Sequence, residues 1–120
     1  MKNVALIGAA NKPDRYAYQA MKLLLEKGHR VHLVHPRLAE IEGLRVYQTI
    51  REIPEEIHTV TLYVGAPRST SIAEEILKRC PQRIIFNPGA ENDSLEEKAR
   101  NVGIETVRGC TLVMLKTNQF

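Results

Sequence analysis

The chain has no tryptophan, two cysteines, and only four tyrosines and two phenylalanines among its 120 residues. So few rings leave little with which to stack nucleic-acid bases. Cys80 and Cys110 lie far apart, with no C-x-x-C pair and no zinc-type cluster. Long apolar runs are missing too: no stretch approaches the ~20 residues of a membrane span. The run from Val4 to Ile7, directly after Met1-Lys2-Asn3, is too short for a signal-peptide core. Unclustered thiols without an export signal lead us to expect reduced cysteines and a cytoplasmic location. Charge of one sign is also scarce in excess: 17 Lys plus Arg against 14 Asp plus Glu gives +3. Without a basic run or stripe, neither nucleic acid nor a membrane is an expected partner.

What is present is globular composition, 43% hydrophobic and 26% charged. We expect one domain spanning residues 1–120. Short apolar runs alternate with segments of helical period. Val4 to Ile7, Val31 to Val34, Thr59 to Val64, Arg83 to Phe86 and Ile104 to Val107 read as strands. Residues 15–27 read as a helix with Asp14 as N-cap and Gly28 just past its end. Ser71-Ile72-Ala73-Glu74 and Ser94-Leu95-Glu96-Glu97 match the capping box, so helices are expected from each. Residues 38–56 read as an irregular crossover, with Leu44 to Tyr47 a possible short extended piece and one helical turn. Thr111 to Lys116 reads as a helical turn that docks on the sheet or on a partner. The alternation predicts an α/β fold, a doubly wound Rossmann-like parallel sheet of about five strands in three α/β/α layers.

In such sheets ligands bind beyond the carboxyl ends of the strands. The first strand ends in Gly8-Ala9-Ala10-Asn11-Lys12-Pro13-Asp14-Arg15 and the second in His35-Pro36-Arg37. The third ends in Gly65-Ala66-Pro67-Arg68 and the fourth in Asn87-Pro88-Gly89-Ala90. These loops gather small residues, prolines and cations, with few carboxylates. A phosphate needs backbone amides aimed at it and small residues that allow close approach. The first loop supplies both, with Lys12 and Arg15 as mobile charge. It is neither G-x-G-x-x-G, since Ala10 and Pro13 stand at the later glycine positions, nor a P-loop. The plainer reading is a tight turn with two solvated cations. After the second strand a NAD site places an acid on the ribose. Arg37 there suits a phosphorylated ribose, as in NADP or coenzyme A, or else points to water. Asn87-Pro88-Gly89 could present amides to the arm of such a ligand, or be a simple turn.

Val4 to Pro13 with Arg15, Leu24 to Gly28, Val34-His35-Pro36, Ile41-Glu42-Gly43, Val46-Tyr47, Ile53-Pro54 and Cys110 carry a resemblance over nearly the whole chain. Together they resemble the small standalone CoA-binding proteins of bacteria, and are similar to the nucleotide-binding domain of the succinyl-CoA synthetase α subunit. The resemblance implies a Rossmann-type fold that binds coenzyme A through its 3′-phospho-ADP portion. It implies that Gly8, Ala9, Ala10, Asn11, Lys12 and Arg15 hold phosphates, and that His35 and Pro36 border the adenosine. The chain departs from the family pattern at His35, at Val64-Gly65 and at Asn87-Pro88-Gly89.

The expected cofactor site is therefore Gly8, Ala9, Ala10, Asn11, Lys12, Pro13, Arg15, His35, Pro36, Arg37, Gly65, Asn87, Pro88 and Gly89. The expected ligand is CoA or an acyl-CoA, bound without catalysis, by the chain alone, as a homodimer or beside a partner enzyme. A small NADP-linked oxidoreductase and a nucleotide-sensing interaction module are the alternatives. No metal site is expected: His29, His32 and His35 approach and enter a strand, where His32 and His35 face apart. No catalytic residue is expected either. Ser69, Thr70 and Ser71 suit helix capping, and the pairs Glu74-Glu75 and Glu96-Glu97 are expected to face solvent. Cys110 could exchange with a CoA thiol, although a small packed residue is the commoner fate of a lone cysteine.

Overall fold

β1 (Asn3–Ile7) lies in the middle of the sheet of this computed structural model, which describes residues 1–120. Its residues alternate between two cores: Ala5 and Ile7 pack on one face, Val4 and Leu6 on the other. That alternation, with every strand residue from Val4 on buried, is what a central parallel strand requires. β2 (Arg30–Val34) pairs in parallel on one side of β1. β5 (Thr59–Leu62), β6 (Arg83–Phe86) and β7 (Glu105–Arg108) follow in parallel on the other. Beyond β2 come β4 (Leu44–Tyr47), also parallel, and the antiparallel β3 (Glu40–Ile41). The order is β3-β4-β2-β1-β5-β6-β7, so the winding reverses beside β1.

The fold is the expected three-layer, doubly wound α/β sheet, with seven strands rather than about five. The two extra strands come from the segment read as an irregular crossover. Glu42 and Gly43 both take positive φ (50° and 81°), the two-residue turn that matches strand twist and folds β3 back on β4. Tyr18 Oη and Lys22 Nζ both donate to the Glu42 carboxylate and pin this turn to α1.

α1 (Tyr16–Glu26) and α5 (Thr111–Lys116) cover one face. α2 (Ala66–Ser71), α3 (Ala73–Lys78) and α4 (Asp93–Asn101) cover the other, with a short 3-10 turn at Ile50–Glu52. α1 buries Ala17, Ala20, Met21 and Leu24, spaced at helical period. It stops where Gly28, at φ 87°, lets the His29 amide donate to Leu24 O and its own to Leu25 O. Its N-cap is Arg15 rather than Asp14 and makes no side-chain cap bond. Both capping-box expectations also miss. Ser71 ends α2 and donates back to Arg68 O, while the N-cap of α4 is Asn92, whose side chain accepts from the Leu95 amide. Asn92 out-competes Ser94 because its amide also donates to Ser69 and Thr70, tying α4 to α2.

Glu96 corrects another expectation. It is buried under Arg108 and Arg100, which donate to its carboxylate at 2.7 and 2.9 Å. The Arg108 hydrogen bond, ahead of opposing desolvation, holds its carboxyl below the usual range. In α5, Leu112 and Leu115 pack into the α1 core, so this segment docks on its own domain. No helix is long and apolar enough to cross a membrane.

Candidate functional site

The site is built around the end of β1. Gly8 takes φ 94°, and an added Cβ would sit 2.9 Å from both Tyr63 O and Val64 Cγ1. Only glycine lets the chain turn off β1 this close to the end of β5. The Gly8 and Ala9 amides both donate to Val34 O, at 3.1 and 3.2 Å. These two amides, expected from the sequence to hold phosphates, are instead spent on the sheet. The amides of Ala10, Asn11 and Lys12 have no protein acceptor, and neither do those of Tyr16, Ala17 and Tyr18 in the first turn of α1. These are the donors that the loop offers to an anion.

Three adjoining cavities open along this rim, and Gly8 lines all of them. The first, about 420 Å³, brings together Gly8, Ala9, Ala10, Asn11, Lys12, Arg15, His35 and Arg37 of the expected set. Arg68 from α2 completes it, and no carboxylate lines it. Lys12, Arg15, Arg37 and Arg68 take part in no ion pair. The second, about 290 Å³, is the more apolar, with Val34, Pro36, Val64 and Ile72 in its walls and Arg68 and Glu75 at its edge. The third, about 260 Å³, runs from Gly8 and Arg15 past Tyr16 and Tyr63 to Pro88 and Gly89.

Three expected residues lie elsewhere. Pro13 faces a separate groove between α1 and α5. Gly65 is the N-cap of α2, its carbonyl taken by the Arg68 and Ser69 amides. Asn87 is only 2% exposed. Its amide nitrogen donates to Thr61 Oγ1 and Leu62 O, and its Oδ1 accepts from the Thr111 amide at 2.9 Å. All its capacity is spent joining β5, β6 and α5, because a buried amide must be satisfied inside. The Gly89 amide likewise donates to Glu91.

Tyr63 and Arg68, with Leu38 and Val64, line the cation cavity and lie outside the expected set. Arg68 lies one helical turn beyond Gly65, a spacing that could have flagged it. Tyr63 is the first residue past β5 and lines both the cation cavity and the third one. Its hydroxyl is buried beside Thr61 and Thr111, which bond each other at 2.8 Å, and makes no hydrogen bond of ordinary geometry itself. Burial pushes the phenol up to about 12. At neutral pH the phenol is thus uncharged. Cys110 is the N-cap of α5 and lines none of the three cavities.

A cation-lined, carboxylate-free cavity at the switch point of a doubly wound sheet defines a Rossmann-type module with a cationic rim. The family follows from comparison: residues 2–116 match the family described as CoA binding domain, and the chain belongs to it. The α subunit of ADP-forming acetate–CoA ligase I from Pyrococcus furiosus is 30% identical over 99% of this chain, which spans only 28% of that protein. The crystal structure of an uncharacterised protein superposes with a TM-score of 0.93 at 41% identity, covering 100% of this chain and 98% of that one. A hypothetical protein from Pyrococcus horikoshii gives 0.92 at 31% identity, covering 97% and 82%.

Proposed function

We propose that the protein binds coenzyme A, or an acyl-CoA, along this rim and performs no chemistry on it. The observation that carries this reading is the unpaired set Lys12, Arg15, Arg37 and Arg68 around a loop of small residues with free amides. Cations left without carboxylates beside unspent amides suit a ligand with several phosphates. The pyrophosphate would lie against the Ala10–Lys12 loop, and a ribose phosphate between Arg37 and Arg68. The apolar cavity at Pro36 suits a flat base, and the one at Pro88-Gly89 suits the pantetheine arm. The reading as a binder draws on the linings themselves, which offer cations, small residues and a neutral phenol. The ligation named for the Pyrococcus furiosus relative is not proposed for this chain; any such reaction would need a partner enzyme.

Calorimetric titration with CoA, 3′-dephospho-CoA, ADP and NADP tests the proposal. CoA should bind tightest, with loss of the 3′-phosphate costing about 1–2 kcal/mol through broken charge-assisted bonds. Binding of ADP or NADP without binding of CoA at high micromolar concentration would overturn it.

A further inference from the structure

His35 is the first residue after β2, and Pro36, which follows, has no amide to donate. The next two amides, of Arg37 and Leu38, both donate to the Nδ1 atom of His35, at 3.0 and 3.1 Å. This is the turn geometry that asparagine and aspartate side chains build when they accept from amides just ahead in the chain. The His35 amide itself donates to Tyr47 O at 2.9 Å, which anchors the start of the loop to β4. A nitrogen that accepts two N–H donors carries no proton, so the ring is neutral with its hydrogen on Nε2. Nε2 has no protein partner, and the ring lines the cation cavity with Lys12, Arg15, Arg37 and Arg68.

We infer that His35 is a positioning residue for ligand binding. Its neutral ring ties the Pro36–Leu38 turn and thereby sets Arg37 at the cavity, so that acid, by protonating Nδ1, releases the turn. The inference deepens the CoA reading and rests on it for the ligand. Protonation would aim a new N–H at two N–H donors. The charged groups around the ring are all cations: Arg37 on its own loop, Arg68 from α2, and Lys12 and Arg15 from the β1–α1 loop. Burial, then Arg37 and Arg68, keep the ring's pKa below the ordinary 6.5. An added positive charge would by itself favour an anion. Loss of the turn acts against it, because Arg37 is then no longer held in place and must be ordered again on binding.

The test combines nitrogen-15 NMR of the imidazoles with CoA titration of His35→Asn and His35→Ala. Asparagine carries an acceptor at the same δ position and does not titrate. The wild-type ring should show the Nε2–H tautomer, with the Arg37 and Leu38 amide signals moving together at a midpoint below 6.5. The Asn variant should keep both amide positions without that titration, and bind CoA at pH 7.5 within roughly threefold of wild type. The Ala variant should lose both positions and bind roughly tenfold more weakly. The ratio of wild-type to Asn-variant affinity should fall on going from pH 7.5 to pH 5.5, and protonation of the ligand's own phosphate cancels in that ratio. An Nδ1–H tautomer, an Ala variant that keeps amides and affinity, or a ratio that rises in acid would overturn the inference. If wild type fails to bind CoA while the tautomer and amide shifts are as stated, the CoA reading falls and the turn assignment stands.

Discussion

The two rims of the sheet hold different sets of cations. At the amino-terminal rim Arg83, Lys2 and Arg79 are engaged by the protein itself. Arg83, 7% exposed, donates to Thr59 Oγ1 and Phe120 O and lies 4.5 Å from the Phe120 ring centre. Lys2 Nζ lies 5.7 Å from the same ring centre, and Arg79 donates to Ile50 O and Glu55 O. At the carboxyl-terminal rim Arg108 pairs with Glu96 and Asp93 at the end of β7, but Lys12, Arg15, Arg37 and Arg68, around the end of β1, face a cavity and take part in no ion pair. A charge that completes a protein contact contributes to stability, whereas one held apart from carboxylates is set up to meet an external anion. The amino-terminal rim is closed on the protein itself, and the stretch of the other rim around the end of β1 stays open.

The largest expected effect comes from closing the open rim. Gly8→Ala forces a Cβ into Tyr63 O and Val64 Cγ1 at a left-handed φ, and should cost on the order of 3 kcal/mol or more in urea unfolding. Gly103→Ala, also at positive φ but with nothing within 4 Å, should cost only about 1 kcal/mol. Similar losses at both positions would show that close approach at Gly8 contributes nothing.

A second contrast exchanges the rims. Arg83→Met should lower stability by about 2 kcal/mol, because Phe120 O loses its donor, and leave CoA affinity unchanged. Arg15→Ala should leave the unfolding midpoint in place and weaken CoA binding by about 1–3 kcal/mol through lost charge-assisted bonds. Calorimetry and urea titration of both variants separate the two rims, and a stability loss in the Arg15 variant would blur them.

The smallest effect is in pH. His29, His32, His35 and His58 are all pushed below 6.5, in each case mainly by burial. The unfolded chain then binds more protons than the folded one just below 6.5. Their contribution is fully present above that value and declines as the pH falls through the folded-state pKa values. Three of these rings, at 29, 32 and 58, sit at the closed rim or just inside it. His35→Asn should therefore remove only a minor part of the decline seen in thermal unfolding between pH 7 and 5.

Much of this was legible before the structure. Hydrophobic runs and glycine punctuation gave the winding, and Gly8-Ala9-Ala10 with Lys12 and Arg15 located the rim. What escaped depended on long-range contacts. β3 is two residues long, and its Glu42-Gly43 turn is pinned to α1 by Tyr18 and Lys22, a tertiary contact that the sequence does not announce. Asn87 looks like a ligand contact by position, yet Thr61 and Thr111, 26 and 24 residues away, consume its amide. Glu96 reads as solvated until Arg108, 12 residues on, folds over it. Gly8 and Ala9 have the composition of a phosphate loop, but Val34 takes their amides from the neighbouring strand.

Amide chemical-shift mapping with CoA decides between the rims most directly. The account predicts that the shifts cluster at Ala10, Asn11, Lys12, Tyr16, Arg37 and Arg68. Shifts confined to Lys2, His58, Arg79 and Gln82 at the opposite rim, or none at millimolar CoA, would contradict it.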